Sequence, residues 1–124
     1  MRSSGPAASR PVFSVTALIL PALIMVQVYL AGLALFHDGV LWEIHAAAGV
    51  ALALPILALL LMSWRSGALR AQRWPIALLA ALYVLQFAFI MADGGWAKAL
   101  HPANAAAITA VAVLIARSAW PAKE

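Results

Sequence analysis

The chain contains no cysteine, which removes disulfide, thiol-redox, iron–sulfur and thiolate-metal chemistry. Any redox role therefore needs a bound cofactor. Charge is equally sparse: 10% of the 124 residues are charged, against 66% hydrophobic, far outside the range of soluble globular proteins. No glycine-rich phosphate loop, no serine beside a base, no paired carboxylates within an apolar run and no arginine ladder is present, so hydrolysis and ion pumping find no support.

What remains is apolar sequence of membrane-crossing length. Four runs of about 18 to 25 residues are long enough to span a hydrocarbon core. They are Val12–Phe36, Ile44–Ser63, Pro75–Ala92 and Pro102–Ala119. Short connections make consecutive helices antiparallel neighbours, so the expected fold is an all-α membrane protein, an up-down bundle of four transmembrane helices forming one domain over residues 1–124. Residues 1–10, rich in Ser, Gly, Pro and Ala, read as a disordered tail. That tail and the apolar residues after it resemble a signal peptide, but the run from Val12 is longer than the 7–15 residues of a signal's apolar region and reads as a span.

The net charge is +4, but the basic residues are dispersed, with no basic helix face for nucleic acid. Arg2 and Arg10 precede the first run, Arg65, Arg70 and Arg73 lie between the second and third, and Arg117 and Lys123 follow the fourth. The other two connections hold only Lys98. Positive charge stays inside, which places both termini and the middle loop in the cytoplasm and the chain in the plasma (inner) membrane. Trp42, Trp64, Trp74, Trp96 and Trp120 fall at the expected interfaces, as aromatic anchors do.

The two halves repeat a pattern. Gln27, Asp38-Gly39, Trp42 and His45 follow one another in the first half, and Gln86, Asp93-Gly94, Trp96 and His101 in the second. Two hairpin repeats in the same orientation are related by an axis along the membrane normal. That sets the second and fourth helices diagonally, with His45 and His101 facing each other. Ionisable residues at span ends are functional candidates, and a histidine pair on two helices suits a haem iron or a transition metal.

Small residues accompany each histidine. His45 shares its helix face with Ala48, Gly49 and Leu52, and His101 with Asn104, Ala105 and Ile108. Such residues leave room for a flat macrocycle, and equally they let membrane helices approach closely. Pro102 directly follows His101, which offers a second reading of that histidine beside the ligand one: the helix N-cap, with proline at the first helical position. Gln27 and Gln86 sit inside spans, where an amide needs a partner: another helix, a cofactor, or a histidine's second nitrogen. Pro21 and Pro55 are expected to kink their spans. His37 is a further candidate; joined to the other two histidines it would suit zinc or copper rather than haem.

The segments Gln27–Phe36 (QVYLAGLALF), Trp42–Gly49 (WEIHAAAG) and Leu100–Trp120 resemble an uncharacterised family of small bacterial four-span membrane proteins. In layout the chain is also similar to one four-helix half of haem A synthase, whose halves present haem-ligating histidines from the second and fourth helices. His45 and His101 are the corresponding positions. Ala105 stands where His45-x-x-x-Gly49 has glycine, Pro102 departs from the pattern, and Gln27 is the nearest polar residue to that enzyme's first-span glutamate. The resemblance implies haem binding and gives no support to haem A synthesis.

The leading expectation is therefore a b-type, bis-histidine haem protein working in electron transfer or haem handling, with a redox partner or quinone and no catalysis of its own. Two alternatives stay open: a non-enzymatic accessory protein of the bilayer, and a histidine-based metal-handling or transport protein. A homodimer is compatible with either.

Overall fold

The computed structural model describes residues 9–120, and every regular element among them is helical. Helix α1 spans Ser9–Phe36, α2 Leu41–Ala51 and α3 Ala53–Arg65. A 3₁₀ helix, Gly67–Gln72, leads into α4, Arg73–Met91, and α5 runs over Gly95–Ala119. Four segments are long and apolar enough to cross a membrane: Arg10–Phe36, Leu41–Arg65, Gly67–Met91 and Gly95–Ala119. Residues 1–8 of the expected tail lie outside the described residues; Ser9 and Arg10 are helical rather than part of it.

Two departures from the sequence expectation have a plain physical reason. The fourth span starts at Gly95, so Pro102 lies inside α5 and His101 is not an N-cap. Gly94 caps the helix with φ 112°, a backbone conformation glycine adopts without strain. The second span divides at Leu52 into α2 and α3. Pro55 lacks the N–H that would bond the carbonyl of Ala51, and its ring crowds that carbonyl. Pro21, by contrast, sits within an unbroken α1. The middle loop is largely the 3₁₀ helix.

Helix α1 packs on α2, α3 and α5, while α4 packs on α3 and α5. The second span and α5 thus stand at opposite corners of the bundle. Packing is uneven along its length. Phe13, Ala17, Leu20 and Ile24 of α1 meet Ile56 and Leu59 of α3, Leu69 of the 3₁₀ helix, Ile76 and Leu79 of α4, and Ile108, Ala112 and Ile115 of α5. All of these lie toward the arginine-bearing end. Toward the histidine end the buried ones among the described residues are Ala34, Ala97 and Asn104, and α2 buries none at all.

The arginine end is tied by polar bonds as well. Arg73 donates from Nε to the carbonyl of Ser63 (3.0 Å) and from Nη2 to that of Trp64 (3.2 Å), satisfying carbonyls left open where α3 ends. Its guanidinium also lies 5.3 Å from the Trp64 ring, which meets Trp74 edge-on. Ser63, fully buried, donates to the carbonyl of Leu60 at 2.8 Å.

Candidate functional site

The four helical spans bring His45 and His101 together at the loosely packed end, their ring centroids 6.4 Å apart and their planes at 62°. Both are half-buried. His45 reaches this point from the second turn of α2, and His101 from the second turn of α5. The depth match comes from two turns that start their helices close after an aspartate. Asp38 accepts from the Val40 N–H at 2.9 Å, and Gly94 turns the chain after Asp93.

Each imidazole is held by the same bond. His45 Nδ1 donates to the backbone carbonyl of Gln27 at 3.1 Å, and His101 Nδ1 to the backbone carbonyl of Gln86 at 3.1 Å. A carbonyl can only accept, so the proton of each neutral ring sits on Nδ1 and the lone pair on Nε2. Both bonds cross from the preceding span, so the hairpin repeat seen in the sequence recurs as a repeated interhelical contact. Trp42 meets the His45 ring edge-on, with centroids 5.4 Å apart.

The glutamine side chains do not meet each other, and neither one fixes a histidine's Nδ1. That role belongs to their main chains. Gln27 instead donates from Nε2 to the carbonyl of His45 at 2.7 Å, with a weaker approach of 3.4 Å to His45 Nε2. This orientation leaves Gln27 Oε1 buried and without a protein partner. Gln86 differs: its Oε1 accepts from Asn104 Nδ2 at 2.6 Å, and the same amide bonds the carbonyl of Leu82 at 2.9 Å. Asn104 lies one turn after His101; the matching residue after His45 is Ala48, which offers no donor.

Gly49 has a specific reason to be glycine. A Cβ there would stand 2.8 Å from Gln27 Nε2 and push the amide off the His45 carbonyl. Ala48 and Ala105 are half-buried beside their histidines. His37 is exposed at the end of α1, and among the described residues no three His, Asp or Glu side chains gather to hold a metal. The three-histidine arrangement is thus not assembled. Two clefts lie at the opposite, arginine end; one is lined by Leu18, Pro21 and Trp120 and the other by Arg10, Phe13 and Gln72, and neither touches a histidine.

Tyr83 completes the site from α4, and sequence reading passed it over. Its hydroxyl donates to the carbonyls of Gly49 (2.9 Å) and Val50 (3.2 Å), just before the break at Leu52. A tyrosine inside a span needs an acceptor, and that is the one signal in the sequence; the carbonyl that Pro55 leaves open is that of Ala51, not those that Tyr83 uses.

The distances suit a metal held between two imidazoles. Metal–nitrogen bonds of about 2.0 Å, with roughly 1.1 Å from ring nitrogen to ring centre, would set two imidazoles on opposite sides of one metal about 6.2 Å apart between centroids. Ligating histidines also commonly anchor their other N–H on a carbonyl, as both rings do here.

Residues 27–93, just over half the chain, match the model of a family of unknown function, DUF6220, and the chain belongs to that family. No curated protein matches. No solved structure matches either.

Proposed function

We propose that this member of the DUF6220 family is a membrane haem protein, holding a b-type haem between His45 and His101 for electron transfer or haem handling. The supporting observation is the imidazole pair: 6.4 Å between centroids, each Nδ1 proton committed to a backbone carbonyl. A haem held by these two imidazoles would supply one-electron redox chemistry. The protein's own residues do the rest. The Gln27 and Gln86 carbonyls orient the rings and raise their donor strength. Ala48, Gly49 and Ala105 keep bulk off the adjoining helix faces, and Asn104 holds Gln86 in place. Ligation at His45 requires the Gln27 amide to keep its bond to the His45 carbonyl and give up its weak approach to Nε2.

An absorption spectrum of the protein purified in mild detergent after expression with haem supplied tests this. The expected result is a Soret band that shifts or disappears in His45→Ala and His101→Ala. A colourless wild-type protein, or a band indifferent to both substitutions, overturns the reading.

One observation favours a second reading. Both histidines already have hydrogen-bond partners on neighbouring spans, as interhelical ties would. A non-enzymatic accessory protein built on these ties predicts a colourless preparation that loses stability, and nothing else, when either histidine is replaced.

A further inference from the structure

We propose that α2 is a hinged half-helix and that His45, which it carries, is the releasable member of the histidine pair, while His101 is the fixed one. The proposal rests on the haem reading above and says how that site would be regulated. Three observations separate the two histidines.

The first is burial of the carrying helix. Helix α2 buries no side chain and rests mainly on α1. Helix α5 buries Ala97, Asn104, Ile108, Ala112, Ile115 and Ala116 and is clasped between α1 and α4. In lipid, helices are held by close packing and interhelical hydrogen bonds, and α2 has little of the first. The second is the break at Leu52, where the long Ile56 N–H to Leu52 carbonyl distance of 3.4 Å and the missing donor at Pro55 leave α2 weakly continuous with α3. A hinge of this kind absorbs motion in a few backbone torsions.

The third is the character of the polar ties. Asn104 locks Gln86 behind His101, whereas Gln27 carries an unpartnered buried oxygen and an amide 3.4 Å from the His45 Nε2 lone pair. What holds α2 closed, in place of packing, is the His45 Nδ1 bond to the Gln27 carbonyl, Gln27 on the His45 carbonyl and the Tyr83 hydroxyl on Gly49 and Val50. Tyr83 acts through α2, so it is a positioning residue for His45.

Swinging α2 outward carries His45 Nε2 away from the site and parts its Nδ1–H from the Gln27 carbonyl, the proton staying on Nδ1. A haem then held by His101 alone would offer the vacated position to a small neutral ligand of the carbon monoxide class, which brings its own lone pair. No electron changes hands. The site would thus convert from a closed electron carrier to one that accepts a small ligand or hands on its haem.

Full-length protein in lipid nanodiscs tests this in two ways. Without haem, hydrogen exchange should run at least about tenfold faster in α2 than in α5, and Tyr83→Phe should raise it again in α2 alone. With reduced haem, carbon monoxide binding by the wild type should reach a rate plateau set by His45 release; Tyr83→Phe should lift that plateau. His45→Ala should bind carbon monoxide without a plateau and keep its haem, while His101→Ala should lose haem several-fold more readily. Equal exchange in α2 and α5, equal haem retention in the two alanine variants, or a plateau indifferent to Tyr83→Phe overturns the proposal. A wild type that takes up no haem overturns the haem reading and the ligand role of His45 with it, and hydrogen exchange alone then reads the hinge.

Discussion

At the scale of single residues, polar satisfaction decides what can be changed. Gly49→Ala brings a Cβ to 2.8 Å from Gln27 Nε2. Helix propensity favours alanine by about 0.8–1.0 kcal/mol, while a lost interhelical hydrogen bond in a membrane costs about 0.6–2 kcal/mol. With the overlap added, the loss wins, and the melting temperature in detergent should fall. Gly32→Ala is the control, since nothing lies within 4 Å of a Cβ there, and it should hold or gain stability. Equal gains at both positions would show that Gln27 makes no such bond. Asn104→Ala leaves Gln86 Oε1 without its donor, at a cost of about 1–2 kcal/mol. Adding Gln86→Leu should recover part of that loss in chemical or thermal unfolding, because no unpaired oxygen then remains. The importance of Gln27 and Gln86 was legible from an amide standing inside an apolar run. That their main-chain carbonyls would hold the histidines was not, because any helical carbonyl is a candidate until the helices are placed.

Among elements, helix ends carry what sequence reading misjudged. His101-Pro102 read as a cap and first turn because proline is common there; the structure starts α5 at Gly95 and accommodates Pro102 about two turns later. The deciding signal was Gly94, whose φ of 112° suits a helix start after Asp93. Pro55 was legible as a disturbance of the second span, but not as the joint of two helices of different burial. That difference follows from packing, which α2 lacks and α3 gains through Ile56 and Leu59. At the other end, Arg73 closes α3 with two bonds from one planar guanidinium and rests on Trp64. Arg73→Lys keeps the charge but supplies neither the fork nor the flat stacking face. It should lower stability by about 0.5–2 kcal/mol, with the extra hydrogen exchange confined to the last turn of α3. A lysine variant as stable as the wild type would mean that charge alone serves at this position.

For the whole molecule, the four spans and their order were plain from length and hydropathy, and the repeat of Gln, Asp-Gly, Trp and His anticipated the facing imidazoles. The uneven core was hidden, since both ends of every span are equally apolar in sequence. Orientation is the remaining large-scale property, and charge placement predicts it. Arg65, Arg70 and Arg73 cluster between the second and third spans, while Asp38, Glu43 and Asp93 lie at the histidine end with Lys98. Only lysine and arginine near span ends bias orientation strongly, so the arginine end should face the cytoplasm and the histidine pair the opposite side. The absence of cysteine makes this directly measurable. Gly39 and Gly67 are exposed, neither has positive φ, and a Cβ at either meets nothing within 4 Å. Single substitutions Gly39→Cys and Gly67→Cys should therefore leave the fold intact and put one thiol at each end. In intact cells a membrane-impermeant maleimide should label Gly39→Cys and spare Gly67→Cys, with both labelled once the membrane is opened. The reverse pattern would invert the protein and place the histidine pair on the cytoplasmic side. Labelling of both in intact cells would mean a mixed population, in which three arginines in a short loop fail to set a single orientation.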